Sequence, residues 1–189
     1  MNFIAGMLYL IFKDEEAAFK VLVRMIDKYN LANMFNDDLP LLKVYFYQLE
    51  RLISMFLPEM HAHFKDESVQ TSYYSSPWFI TIHSNVLQYH PDTENLPPVL
   101  TALWDLFILH GLKVVFKFSL YLLSEMQEDL LDLRFEYILN GVNDLGRTSF
   151  FRDTERAQNL GRYLKPFKVT NSLLRRLQEE YTIFHNHVK

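Results

Sequence analysis

The sequence predicts an all-α fold with no sheet. Two observations carry this: apolar residues recur at three- and four-residue spacing almost throughout, and strict alternation never persists long enough to mark a strand. A third supports them. Only 5 Gly and 7 Pro occur in 189 residues, which leaves little material for hairpin turns and favours long helices.

The elements read in order. Phe3, Ile4, Met7, Leu8 and Ile11 line one face of a first helix. Asp14 is placed to cap a second, whose stripe is Ala18, Leu22, Met25, Ile26 and Tyr29. Leu42, Tyr45, Phe46, Leu49, Leu52, Ile53 and Phe56 give the clearest stripe, a third helix, and Pro58 opens a short fourth that ends near Lys65. Ser76-Pro77 reads as a helix start, with a serine cap and a proline at the first helical position, followed by Trp78, Phe79, Ile82, Val86 and Tyr89. Pro97 and Pro98 open the next helix, which carries Leu100, Leu103, Trp104 and Phe107 and stops at Gly111. Further helices are expected over 113–124 and 130–139, a loop over 141–149, and two last helices over 153–164 and 172–185, divided by Pro166.

Composition narrows the function classes. Hydrophobic residues make up 49% and charged residues 22%, the balance of a folded globular chain. The net charge of -4 shows no basic excess of the kind a nucleic-acid binder carries. The absence of cysteine removes disulfides, thiolate metal sites and cysteine nucleophiles, and fits a reducing cytosol. No stretch approaches the roughly 20 apolar residues that span a bilayer. The apolar run from Phe3 to Phe12 has no basic residue ahead of it and no small-residue cleavage site after it, which argues against a signal peptide.

A search for chemistry finds little. The glycines at 6, 111, 141, 146 and 161 are isolated, so no phosphate-cradling loop is present. No serine has glycine on both sides in a nucleophile elbow. His61 and His63 stand two apart and point to different sides of a helix. His63 and Glu67 are better spaced but lack a third ligand, and His185 and His187 sit at the chain end. Arg175 and Arg176 beside Glu179 and Glu180 read as a solvated face with i,i+4 ion pairs, and Asp129 and Asp132 as helix surface. Trp104 reads as core. Trp78 sits beside Ser72-Tyr73-Tyr74-Ser75, where an aromatic cluster can serve as a contact surface.

Several segments, in order, resemble the TBC domain of Rab GTPase-activating proteins. Met1-Asn2-Phe3-Ile4-Ala5-Gly6 looks like the sequence that directly follows the family's Tyr-x-Gln-Gly motif. His63-Phe64-Lys65 through Ser75-Ser76-Pro77-Trp78-Phe79-Ile80-Thr81 is similar to the family's Trp-Phe helix and its approach. Leu103-Trp104-Asp105-Leu106-Phe107 with Gly111 resembles the next helix, and Val114-Val115-Phe116-Lys117 the one after. The match runs over about residues 1–140, with 141–189 as a helical tail, so the whole chain reads as a partial TBC domain.

The resemblance implies a Rab-type small GTPase as partner and a family role in stimulating GTP hydrolysis in membrane traffic. An arginine offsets charge developing on the phosphates and a glutamine positions the attacking water. Both belong to motifs upstream of residue 1. Gln48, Gln70, Gln88, Gln127, Gln158 and Gln178 lie in other contexts, as do Arg24 and Arg51. The expectation is therefore the downstream part of a larger domain, inactive alone, with no catalytic residue, metal or cofactor of its own. Its GTPase-contact candidates are Asn2, Ser76, Trp78 and Phe79, carried over from the matching motifs. The alternative is a non-catalytic helical module that binds a GTPase or another protein. In the first case the apolar faces of the first helices should lie exposed for want of a partner. The family role places the chain in the cytosol, visiting endomembranes through its partner, with no nucleic acid involved.

Overall fold

A computed structural model describes residues 2–29, 31–35, 39–90, 92 and 94–186. The described residues form helices α1 (Asn2–Phe12), α2 (Glu15–Lys28), α3 (Leu31–Met34), α4 (Pro40–Phe56), α5 (Pro58–Asp66), α6 (Ser72–Thr81), α7 (Pro98–His110), α8 (Lys113–Glu125), α9 (Gln127–Leu131), α10 (Phe135–Asp144), α11 (Thr154–Gln158), α12 (Leu160–Tyr163) and α13 (Asn171–Asn186). Short 3₁₀ turns cover Ser84–Tyr89, Leu145–Arg147 and Ser149–Arg152. No strand occurs among the described residues, as the missing alternation predicts.

Helices α4 and α8 form the frame. The stripe predicted on α4 turns inward, with Leu42, Tyr45, Leu49, Leu52 and Ile53 buried. Helix α8 has no single stripe: Val114, Val115, Phe116, Phe118, Ser119, Leu120, Tyr121, Leu122 and Leu123 are all buried, the pattern of a helix covered on every side. Helices α5, α6, α8 and α13 pack on α4, and α7 packs on α8. Tyr45, Phe79 and Phe116 join α4, α6 and α8 in one ring cluster, with centroids 5.3, 5.8 and 4.9 Å apart. Such tilted and edge-on pairs add about 0.5–1.5 kcal/mol each beyond the area they bury.

The helix ends follow local chemistry. The Asp14 carboxylate accepts from the Ala17 N–H at 2.8 Å, the expected cap of α2. Gly111 ends α7 at φ 77°, where a Cβ would stand 2.8 Å from Cε1 of Tyr29, so only glycine admits that ring. The tail is tied back at several points. Gln48 Nε2 donates to the Leu174 carbonyl at 2.7 Å, joining α4 to α13. The Arg156 guanidinium donates to Tyr121 and Glu125 of α8 and lies 4.5 Å over the Phe150 ring.

Several boundaries differ from the expectation, among them the end of α6 at Thr81, short of the expected Val86 and Tyr89. Helix α6 begins four residues before Ser76, so Pro77 lies inside it. The helix expected over 130–139 is broken between α9 and α10, and the one expected over 153–164 is broken at Asn159. The expected loop over 141–149 is taken up by the end of α10 and the following 3₁₀ turns. At the two breaks apolar spacing runs on through the interruption, and α10 tolerates glycine because tertiary packing outweighs local propensity.

Candidate functional site

The candidate segment is α6 and the turn that follows it. Ser76 does not cap the helix: its hydroxyl donates to the Ser72 carbonyl at 2.9 Å, and Ser75 does the same to Thr71 at 2.7 Å. These i−4 hydroxyl bonds lie just ahead of Pro77, which supplies no N–H to the Tyr73 carbonyl, and back-bonding of this kind is compatible with a bend there. Thr81 Oγ1 then donates to the Pro77 carbonyl at 2.6 Å.

Helix α6 stops at Ile82 and His83, which hold φ of 53° and 58°. Left-handed backbone costs an L-residue about 1–2 kcal/mol each, so packing must hold it in place. The hold is visible. The His83 N–H returns to the Trp78 carbonyl at 3.0 Å. The His83 ring stacks on Trp78 at 5.3 Å and meets the Phe118 edge at 4.8 Å. Its Nε2 lies 3.2 Å from the Ser119 hydroxyl of α8. Burial pushes the His83 imidazole down to about 3. One residue on, Ser84 accepts from Trp104 Nε1 at 3.0 Å, which anchors the turn to α7.

This placement divides the contact candidates. Trp78 is 6% exposed and Phe79 0%, so neither ring offers a surface to a partner. Their apolar bulk packs inside, Trp78 against His83 and Tyr74, Phe79 in the ring cluster with Tyr45 and Phe116, which sets both apart from Asn2 and Ser76 among the contact candidates. Asn2 is exposed at the first turn of α1, and Ser76 is partly exposed on α6. Helix α1 meets this region through the 84–89 turn. Sequence reasoning missed His83, Ser84 and Ser119. No glycine marks the left-handed turn, and the apolar spacing through Ile82 and Val86 hides it.

A model of the Rab-GTPase-TBC domain matches residues 1–131, α1 through α9. The chain belongs to the Rab-GTPase-TBC domain family. Similar proteins include the mouse ecotropic viral integration site 5 protein, 31% identical over 168 residues, 89% of this chain and 19% of the relative. The human ecotropic viral integration site 5 protein homolog is 31% identical over 180 residues, 95% of this chain and 21% of the relative. The fission yeast GTPase activating protein Gyp51 is 30% identical over 188 residues, 97% of this chain and 17% of the relative. The chain thus spans about a fifth of the length of these relatives.

Within this TBC-family chain the remaining polar candidates have structural roles. His63 Nε2 lies 2.8 Å from the Leu133 carbonyl, tying α5 to the turn before α10. Arg51 pairs with Glu180 at 3.6 Å, and Glu180 also meets Arg176 at 3.7 Å. Among the described residues no group of three or more acidic or histidine side chains gathers as a metal site. His187 and the His185 side chain lie outside what the structure describes. Among the described residues no helix is long and apolar enough to cross a membrane.

Proposed function

We propose that this chain is the C-terminal part of a Rab GTPase-activating domain and supplies a surface that holds a Rab-type GTPase. Residues 1–189 contain neither an Ile-x-x-Asp-x-x-Arg nor a Tyr-x-Gln-Gly motif, so in this reading the chain alone does not accelerate GTP hydrolysis. The observation that carries this reading is the family match across α1–α9. A second supports it: Phe3, Tyr9, Phe12, Phe19 and Val23 leave bulky apolar surface exposed on α1 and α2. Helix α1 carries no charged residue at all, which suits a helix covered on more than one side. An upstream half of the domain would cover that face.

In this reading Asn2 and Ser76 touch the GTPase, while Trp78, Phe79 and His83 fix the backbone that presents Ser76. The test uses a panel of GTP-loaded Rab-type GTPases. The chain should retain one of them in a binding assay and leave its hydrolysis rate unchanged. Fusing an upstream segment with the Ile-x-x-Asp-x-x-Arg and Tyr-x-Gln-Gly motifs in frame should then raise that rate. Loss of all binding would sink the docking role, and acceleration by the chain alone would sink the assignment of catalysis upstream.

A further inference from the structure

A basic face lies away from α6. Two hollows open on either side of Tyr29. One, of about 310 Å³, is lined by Lys20, Arg24 and Lys28 of α2 over a floor of Val21, Met25 and Ile108. The other, of about 470 Å³, is lined by Lys28, His110 and Lys113, with Leu109 at its rim. Tyr29 is the fixed wall between them: its hydroxyl donates to the Ile108 carbonyl at 2.9 Å, its ring packs on Phe107 at 5.3 Å, and the bare Gly111 lets it in. Lys28 Nζ sits 5.1 Å from the same ring.

Among the described residues no carboxylate lines either hollow. Glu16 pairs with Lys20, and the other acids on these helices are Glu15 and Asp27 on α2, Asp105 on α7 and Glu125 on α8. Lys117, one turn along α8, has its ammonium pKa lowered by burial and then by Lys113, a sign that the two like charges crowd each other. On a chain of net charge -4 this concentration of cations is local, not a general excess. Leu109 projects from its midst, 69% exposed.

We propose that this face, built by Lys20, Arg24, Lys28, Lys113 and Leu109, docks on an anionic membrane. The cations take phosphate groups of lipid headgroups and Leu109 enters the interfacial layer. Charge complementarity fixes the sign of the partner. The protruding leucine favours a bilayer over an acidic peptide, because an apolar tip raised among cations gains by entering the interfacial layer while the cations meet the headgroups. None of Asn2, Ser76, Trp78 or Phe79 lines these hollows, so docking would leave the GTPase candidates free.

Cosedimentation of the 189-residue chain with vesicles tests this. Phosphatidylcholine vesicles should bind little, and vesicles containing phosphatidylserine and a phosphoinositide should bind well, less so as salt rises. Each removed cation should weaken binding roughly fivefold, so Arg24→Glu, Lys28→Glu and Lys113→Glu together, which also add three negative charges, should lower it by more than about a hundredfold. Arg24→Lys with Lys28→Arg and Lys113→Arg should retain it, and Lys65→Glu on α5 should leave it unchanged. Leu109→Ser should weaken vesicle binding about fivefold while leaving any binding of soluble inositol hexakisphosphate intact. Helical melts of each variant show that the fold survives. The proposal is overturned by equal binding to neutral vesicles, by a triple reversal without effect, or by capture of inositol hexakisphosphate or polyglutamate with no vesicle binding.

Discussion

His83 makes the stability of this fold depend on pH in a way that can be worked out. The imidazole is fully enclosed between Trp78 and Phe118, with the Ser119 hydroxyl as its neighbour at Nε2. Burial depresses its pKa from 6.5 to about 3. Between those values the unfolded chain binds a proton that the folded chain refuses, so stability is intact above pH 6.5 and declines as pH falls toward 3. Integrating the linkage from neutrality gives a loss of about 2 kcal/mol at pH 5 and about 3 kcal/mol at pH 4. For a chain of this size 2 kcal/mol corresponds to a drop of roughly 4–8 °C in Tm.

The matched perturbation is His83→Asn. Asparagine tolerates the left-handed backbone and does not titrate. It loses the stacking, so it should be less stable at every pH, but that loss cancels when each protein is compared with itself. Urea unfolding at pH 7 and pH 5, followed by helical circular dichroism, should show the natural chain losing about 2 kcal/mol more than the variant. Proton resonances of the imidazole should show no titration above pH 4. An equal loss in both proteins, or a His83 that titrates near 6.5, would refute the argument that burial keeps this ring neutral.

Two further perturbations separate frame from surface. Gly111→Ala places a methyl 2.8 Å from Cε1 of Tyr29 at φ 77°, and should destabilise the fold by about 2–3 kcal/mol in a denaturant titration. Phe79→Ala empties a fully buried site beside Tyr45 and Phe116 and should destabilise by about 3–5 kcal/mol. Ser76→Ala removes a single hydroxyl bond from a partly exposed position, so its denaturation midpoint should move by less than the equivalent of about 1 kcal/mol. A large stability change for Ser76→Ala, or a negligible one for Phe79→Ala, would reverse the roles assigned to them.

Much of the fold was legible because periodicity and end chemistry agreed. The α4 stripe, the Asp14 cap, the Pro58 and Pro98 starts and the Gly111 stop each have a local cause that a sequence displays. The departures share one physical feature: the deciding contact comes from elsewhere in the chain. Ser76-Pro77 carries the letters of a helix start, yet α6 begins at Ser72 and runs through it, packed on α4 and α8. The stop comes at Ile82 and His83, a β-branched residue and a histidine where local rules favour glycine. It is held by Trp78, Phe118 and Ser119, the last two from α8. No local rule could place that turn.

The same distinction bears on how a family motif is read. Residues shared with a family are easily taken for contacts, and Trp78 and Phe79 stand beside Ser76 in such a motif. Their burial gives the resemblance another cause. A helix that must run through a proline and end in two strained residues needs strong tertiary anchors, and a tryptophan stacked on a histidine and a phenylalanine in a three-helix ring cluster supply them. In this chain Trp78 and Phe79 hold a backbone geometry, while Ser76 and Pro77 stay partly exposed. Binding measurements on Trp78 or Phe79 variants would report on that geometry, so a loss of affinity there counts as evidence for contact only if the fold of the variant is intact.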